Sequence, residues 1–112
     1  MNLRVEKKNN YSILFIEGRI DIIVAEELDK EINFVITSGE KNLMIDLEKI
    51  TYFSSSGVRM LITLKHKAEE AGGKMVLVHI NSTVDKIFST LGLMNKFEIY
   101  NDKESASHFF NS

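Results

Sequence analysis

The sequence predicts an α/β domain in which strands and helices alternate along the chain. Short apolar runs typical of buried strands recur, segments with apolar residues spaced by three and four follow them, and polar or glycine turns separate the two. The order is ββαβαβαβα, which predicts a mixed central sheet of about five strands, largely parallel with one antiparallel hairpin strand, and four helices. A length of 112 residues fits one domain, expected to span residues 1–112.

The first third of the chain predicts a hairpin followed by a helix. Residues 3–6 and 12–17 form its strands, and the polar turn at 8–10 joins them. The run ILFI within the second strand is apolar throughout, as in a strand covered on both faces. Asp21 is a credible N-cap for the helix that follows. The core face of that helix has helical spacing: Ala25, Leu28, Ile32 and Val35.

The middle of the chain predicts a central strand, an extended segment and a second helix. Residues 43–47 are apolar enough for a buried strand, and residues 50–53 continue in extended form. Three serines and a glycine at 54–57 then lead into a helix predicted over 58–71. Gly72-Gly73 stops that helix and precedes a strand, so we interpret it as a turn and not as a phosphate-binding loop.

The last third repeats the pattern. Residues 75–78 form a buried strand, and the Ser-x-x-Asp pattern at 82–85 is a capping box that opens a third helix, ended by Gly92. Residues 97–100 form the last strand. A second capping box at 101–104 opens a C-terminal helix.

Composition excludes several classes of function. The formal net charge is −2, which disfavours a nucleic-acid binder, and no basic stripe is present. The chain has no cysteine, and therefore no disulfide, thiolate metal site or cysteine nucleophile. No apolar run is long enough to span a bilayer, and the polar N-terminus does not resemble a signal peptide. We therefore expect a cytoplasmic protein that contacts neither nucleic acid nor membrane.

The catalytic inventory is small. His66, His79 and His108 are widely spaced, form no metal-ligand pattern and are each interpreted as solvated or locally bonded. No nucleotide-binding glycine motif and no G-x-S-x-G occurs. The sequence thus predicts no catalytic residue, no metal and no cofactor.

The serine cluster Ser54, Ser55 and Ser56 is the unusual feature, because one serine suffices to cap a helix. A hydroxyl at a helix N-terminus is also a favourable place for a phosphate, because the helix dipole and its free N–H groups attract an anion. Gly57 in the first turn is expected to let another backbone approach closely. A cap and a regulatory or binding site both fit this pattern, and a hydrolytic serine fits it poorly.

Four segments of the chain form a familiar series: IEGRID at 16–21, LMIDLEKI at 43–50, YFSSSG at 52–57 and GGKMVL at 72–77. In their order and spacing they resemble the STAS family, which is shared by sulphate transporters and bacterial anti-sigma factor antagonists. The likeness covers about residues 3–110.

The resemblance implies a stand-alone antagonist that binds an anti-sigma factor with serine kinase activity and so releases a sigma factor for transcription. In that family the kinase phosphorylates a serine, binding is lost, and a serine phosphatase restores it. By position the phosphorylated serine is Ser55. The partner-binding residues that we expect are Asp21, Ser54, Ser55, Ser56, Gly57 and Arg59.

Two positions depart from the family pattern. Ser54 replaces the acidic residue that precedes the phosphorylated serine, and Arg59 stands where small residues are usual. Arg59 is one turn past Ser55, where it would pair with a phosphate or simply be solvated. Two alternatives therefore stay open: a scaffold or constitutive partner-binding module without phosphorylation, and, with less support, a small-ligand-binding domain. The sequence does not determine the oligomeric state.

Overall fold

The computed structural model describes residues 2–111. In chain order its strands are Leu3–Lys7 (β1), Ser12–Ile16 (β2), Gly18–Ile20 (β3), Leu43–Asp46 (β4), Ile50–Phe53 (β5), Met75–Val78 (β6) and Glu98–Tyr100 (β7). The helices are Ile22–Thr37 (α1), Ser55–Glu70 (α2), Ser82–Leu91 (α3) and Lys103–Phe109 (α4), and a short 3₁₀ turn spans Met94–Lys96.

Five strands form the main sheet in the order β1-β2-β4-β6-β7. β1 runs antiparallel to β2, and the other neighbours are parallel. This arrangement, with four helices, confirms the predicted mixed α/β fold.

The predicted element order was incomplete, because β3 and β5 form a second, two-stranded parallel sheet. Gly18, predicted only to end a strand, has φ +90° and turns the chain away from β2. Its N–H donates to the Lys49 carbonyl at 2.9 Å, which starts the new pairing. Three residues were too few for periodicity to distinguish this strand from a loop.

Apolar side chains cover both faces of the main sheet, as predicted for the ILFI run. Leu14 and Ile16 point into the larger core, which α1, α2 and α3 cover, whereas Ile13 points into a smaller core under α4. Successive side chains of each buried strand point to opposite faces of the sheet, so each strand contributes residues to both cores. No helix within residues 2–111 has the length and apolar character needed to cross a bilayer.

Two predicted helix caps were displaced by one residue. Asn81, not Ser82, caps α3: its side chain accepts from the Val84 N–H at 3.0 Å and donates to the carbonyls of Glu48 and Ile50. These additional bonds explain the choice, because a serine has no amide to donate them.

At α4 the cap is Asp102 and not Asn101, since the Asp102 carboxylate accepts from the Ser105 N–H at 2.8 Å. The Gly72-Gly73 turn is confirmed. A side chain at Gly73 would lie 2.1 Å from the Lys41 carbonyl oxygen, so only glycine fits there.

Candidate functional site

The two helices that follow the small sheet begin side by side. β3 and β5 pair in parallel with Ile20 opposite Phe53, so their carboxyl ends meet at one edge. The Ser54 N–H donates to the Ile20 carbonyl at 3.0 Å and ties the two ends together. Asp21 and Ser54 come directly after these strands, and the starts of α1 and α2 are therefore neighbours.

Each helix start has a side-chain cap: Asp21 for α1, as predicted, and Ser54, the first serine of the cluster, for α2. The Asp21 carboxylate accepts from the Val24 N–H at 2.9 Å, and the Ser54 hydroxyl oxygen accepts from the Gly57 N–H at 3.1 Å. Serine caps a helix about as well as aspartate. The replacement of the family's acidic residue by Ser54 therefore keeps the cap and removes a negative charge.

The three serines have different environments. Ser54 serves as the cap, and Ser56 is half-buried along a groove between α1 and α2. Ser55 is exposed as the first residue of α2, and its hydroxyl forms no hydrogen bond within the described part of the chain. Of the cluster, Ser55 is the hydroxyl most open to another molecule.

Gly57 is explained by packing inside the molecule. A Cβ on Gly57 would lie 2.9 Å from the Phe53 ring, which is closer than side-chain carbons approach. Within the described residues, the atoms nearest to this position belong to a side chain and not to another backbone. The close neighbour is the aromatic side chain at the end of β5, and Gly57 lets α2 start directly over it.

Arg59 lies four residues after Ser55, on the same face of α2. Its side chain is exposed and forms no ion pair with any residue of 2–111. Thr63 and His66, on the same side of this helix as Arg59, are exposed as well. The second arginine of this region, Arg19, stacks over the Tyr52 ring with 4.1 Å between guanidinium carbon and ring centroid.

Exposed apolar side chains at this edge were missed in the sequence. Ile22 and Ile23, in the first turn of α1, are 59% and 66% exposed, and Tyr52 is 41% exposed. Ile22 also lines the open groove of about 460 Å³ that Ser56 and Arg59 border. The sequence contains one indication of this exposure: Ile23 shares a helical face with Glu27 and Lys30 and not with the core residues.

A second polar cluster forms at the carboxyl ends of β4 and β6. Asp46 is 5% exposed; one carboxylate oxygen accepts from the Glu48 N–H at 2.9 Å, and the other lies 3.0 Å from His79 Nδ1 and 3.4 Å from Lys103 Nζ. His79 is thus locally bonded, as predicted. Ligand atoms of Asp46, Glu48 and His79 lie within 4.8 Å of one another, but the Lys103 ammonium group already supplies a cation there.

Residues 2–106 match the STAS domain family, so the chain belongs to this family. Two curated relatives are 26% identical to it. One is BtrV of Bordetella bronchiseptica, provisionally named an anti-sigma factor antagonist, and the match covers 98% of this chain and 95% of that protein. The other is the anti-sigma-F factor antagonist RsfB of Mycobacterium tuberculosis, with 95% of this chain and 86% of that protein covered.

Solved structures share the fold. A Thermotoga maritima protein, also provisionally described as an anti-sigma factor antagonist, superposes with a TM-score of 0.89 at 17% identity, covering 98% of this chain and 95% of that one. The antagonist SpoIIAA in its unphosphorylated form gives a TM-score of 0.80 at 19% identity, with 98% and 97% covered. These likenesses establish the STAS fold for this chain.

Proposed function

We propose that the protein is an anti-sigma factor antagonist that works in the bacterial cytoplasm. In this proposal it binds an anti-sigma factor with serine kinase activity and thereby releases a sigma factor for transcription. The observation that carries it is the open hydroxyl of Ser55 at the start of α2, next to the start of α1, whose first turn exposes Ile22 and Ile23. The names of the two curated relatives support the same class of protein.

The proposed docking surface is the neighbouring starts of α1 and α2. It comprises the accessible part of Ser54–Arg59, in which Gly57 and Val58 are buried, with Asp21 at its edge, and we extend it to Ile22 and Ile23. Exposed apolar residues surrounded by polar ones are typical of surfaces that bind another protein. Each isoleucine would lose most of its solvent-exposed area on docking, which favours association.

Phosphorylation of Ser55 is the proposed control of binding. Ser54 is occupied as a cap and Ser56 is half-buried, so Ser55 is the hydroxyl that a kinase reaches most easily. The N-terminus of α2 favours the anion, and Arg59 is placed to pair with it. A phosphate adds close to two negative charges in the middle of the docking surface, which opposes binding until a phosphatase removes it.

The solved relative SpoIIAA provides precedent within this fold, because its structures exist in an unphosphorylated and a phosphorylated form.

The first test maps phosphate on protein isolated from its native cells in the presence of phosphatase inhibitors. Trypsin releases residues 50–59 as one peptide that contains all three serines and Thr51. We expect phosphate on Ser55. Phosphate on Ser54 or Ser56 would contradict the assigned position, and an unmodified peptide in every growth state would contradict the switch.

The second test measures partner capture. Tagged protein from native cells should retain an anti-sigma factor, identified by mass spectrometry, and Ser55→Asp should retain much less of it. Ser82→Asp is the matched control, because Ser82 is likewise exposed, begins a helix and follows its cap. Equal loss in both variants would show a general charge effect and would contradict a site at Ser55.

A constitutive partner-binding module is the second candidate, favoured by the neutral Ser54 in place of the family's acidic residue. It predicts the same captured partner but no phosphate on Ser55 and no effect of growth state. A small-ligand-binding domain has less support, because Ser55 does not line the groove between the helices.

A further inference from the structure

The outer edge of β1 is an unpaired strand edge. The Glu17 N–H donates to the Asn2 carbonyl, and the Lys8 N–H donates to the Tyr11 carbonyl, so even-numbered residues of β1 bond to β2. Because bonding direction alternates along an antiparallel strand, Leu3, Val5 and Lys7 direct their N–H and C=O groups away from the sheet. No residue within 2–111 hydrogen-bonds these outward groups.

We propose that this edge is a homodimer interface. Two copies of β1 pair antiparallel about a two-fold axis through Val5, which joins their main sheets into one. The outward N–H and C=O groups of Leu3, Val5 and Lys7 then find partners in the second copy. An interface about a two-fold axis must be self-complementary, and β1 has this property.

Charge selects the register. With the axis at Val5, Arg4 of each copy lies opposite Glu6 of the other. A slip of two residues in one direction places Arg4 opposite Arg4, and a slip in the other places Glu6 opposite Glu6. Opposite charges across a pair of strands stabilise the pairing, whereas like charges directly opposite destabilise it.

Both side chains are exposed at this edge, and each also has an ion pair within its own chain: Arg4 with Glu17 at 3.8 Å and Glu6 with Lys8 at 3.1 Å. Arg4 and Glu6 are 55% and 46% exposed, and they are 3.5 Å apart within one chain. The Arg4 guanidinium stacks 3.9 Å above the Phe15 ring, which holds it on the same face as Glu6. In the dimer Arg4 and Glu6 occupy a non-hydrogen-bonded position, where facing Cα atoms are about 4.5 Å apart and side chains approach closely.

Apolar surface accompanies the open edge on the α1 side. Val5 is 41% exposed and Phe34, on α1, is 71% exposed. Both line a shallow groove of about 470 Å³, together with Leu3 and Val35. The two-fold axis brings the two Val5 side chains together, which shields part of this apolar surface from water.

The test is sedimentation velocity of the full chain over a concentration series reaching the millimolar range. We expect the wild type to shift from its monomer mass of 12.8 kDa to a dimer. Arg4→Glu and Glu6→Arg should each weaken the dimer at least tenfold, because each places like charges opposite each other twice. The double variant should restore it, because the facing pair is then reversed but still complementary.

Controls separate this effect from net charge and from misfolding. Lys86→Glu makes the same change in net charge as Arg4→Glu at an exposed position of α3, and it should leave the dimer intact. Val5→Glu places two carboxylates on the axis and should abolish the dimer. Its unfolding midpoint should stay close to that of the wild type at a concentration where the wild type is also monomeric. In the wild type, hydrogen exchange at the Val5 amide should slow as protein concentration rises.

The proposal would be overturned by a wild type that stays monomeric, by a dimer that survives Val5→Glu, or by a double variant that does not recover. Species larger than a dimer would indicate an open chain of molecules and would contradict the two-fold pairing. None of these outcomes bears on the role proposed for Ser55.

Discussion

Two polar clusters lie where strands end and new segments begin, and they are organised in opposite ways. At the start of α2, Ser55 and Arg59 are exposed, with no ion pair or side-chain hydrogen bond among the described residues. Around Asp46, the carboxylate is bonded to the Glu48 N–H, and His79 and Lys103 lie beside it. The first cluster leaves its bonding capacity for another molecule, and the second uses it inside the fold. We therefore propose a binding site only at the start of α2, where the polar side chains have no partners among the described residues.

The largest expected effect is on stability, at the cluster around Asp46, whose polar groups bond to one another within the fold. Asp46→Ala removes a buried carboxylate and leaves the Glu48 N–H, His79 and Lys103 without it, which should lower the free energy of unfolding by about 2–3 kcal/mol. This loss is smaller than the loss expected for a fully buried ion pair. His79 and Lys103 are partly exposed, so water can hydrate their polar groups when the carboxylate is removed. Urea denaturation measures it.

Glu48→Ala is the control for that experiment, because the Glu48 side chain is 65% exposed. It should change the unfolding free energy by less than about 0.5 kcal/mol. Equal effects of the two substitutions would remove the distinction between the clusters.

At the neighbouring starts of α1 and α2 we expect the opposite: a substitution changes binding and leaves stability nearly unchanged. Ile23→Ser should lower affinity for the proposed anti-sigma factor partner about tenfold, or about 1.4 kcal/mol, because it removes apolar area from the proposed docking surface. Stability should change little, since Ile23 is 66% exposed. Titration calorimetry with the captured partner and urea denaturation measure the two quantities. Wild-type affinity in this variant would exclude Ile23 from the surface.

A smaller effect on stability is expected at the cap of α2. Ser54→Ala removes the acceptor for the Gly57 N–H and should cost about 1 kcal/mol, whereas Ser54→Asp should retain stability. Ser55→Ala is the matched neighbour and should cost less than about 0.5 kcal/mol, because its hydroxyl has no partner in the described residues. If Ser55→Ala were the more destabilising variant in thermal or urea unfolding, the assignment of Ser54 as the cap would be wrong.

The smallest effect concerns pH at the start of α4, the helix that carries Lys103. The hydrogen bond from the Ser105 backbone N–H lowers the pKa of the Asp102 carboxyl group. A lowered pKa in the folded state means that the stabilisation is present above the unfolded-state value and is lost as pH falls through the folded-state value. Unfolding midpoints of wild type should therefore fall in acid more than those of Asp102→Asn, which retains a cap without the titration. Parallel curves for the two proteins would contradict this role.

Local patterns predicted most of the elements, because their information lies within a few residues. The spacing of Ala25, Leu28 and Ile32 predicted α1, and Asp21 predicted its start. The caps of α3 and α4 lie one residue away from the predicted positions. Asn81 and Ser82 are both good caps, and the carbonyls of Glu48 and Ile50 decide between them from a distant part of the chain.

The sequence by itself determined the alternation of strands and helices, the family to which the chain belongs and the position of the serine cluster. The tertiary structure alone decided which polar side chains form hydrogen bonds or ion pairs within the described residues and which do not. Asp46, His79 and Lys103 are far apart in the chain and meet because β4 and β6 are neighbours and α4 covers their ends. Ile22 and Ile23 are apolar, as core residues usually are. Their exposure to solvent follows only from the way α1 packs against the sheet. Periodicity describes one segment at a time, whereas burial and bonding depend on segments that the chain brings together.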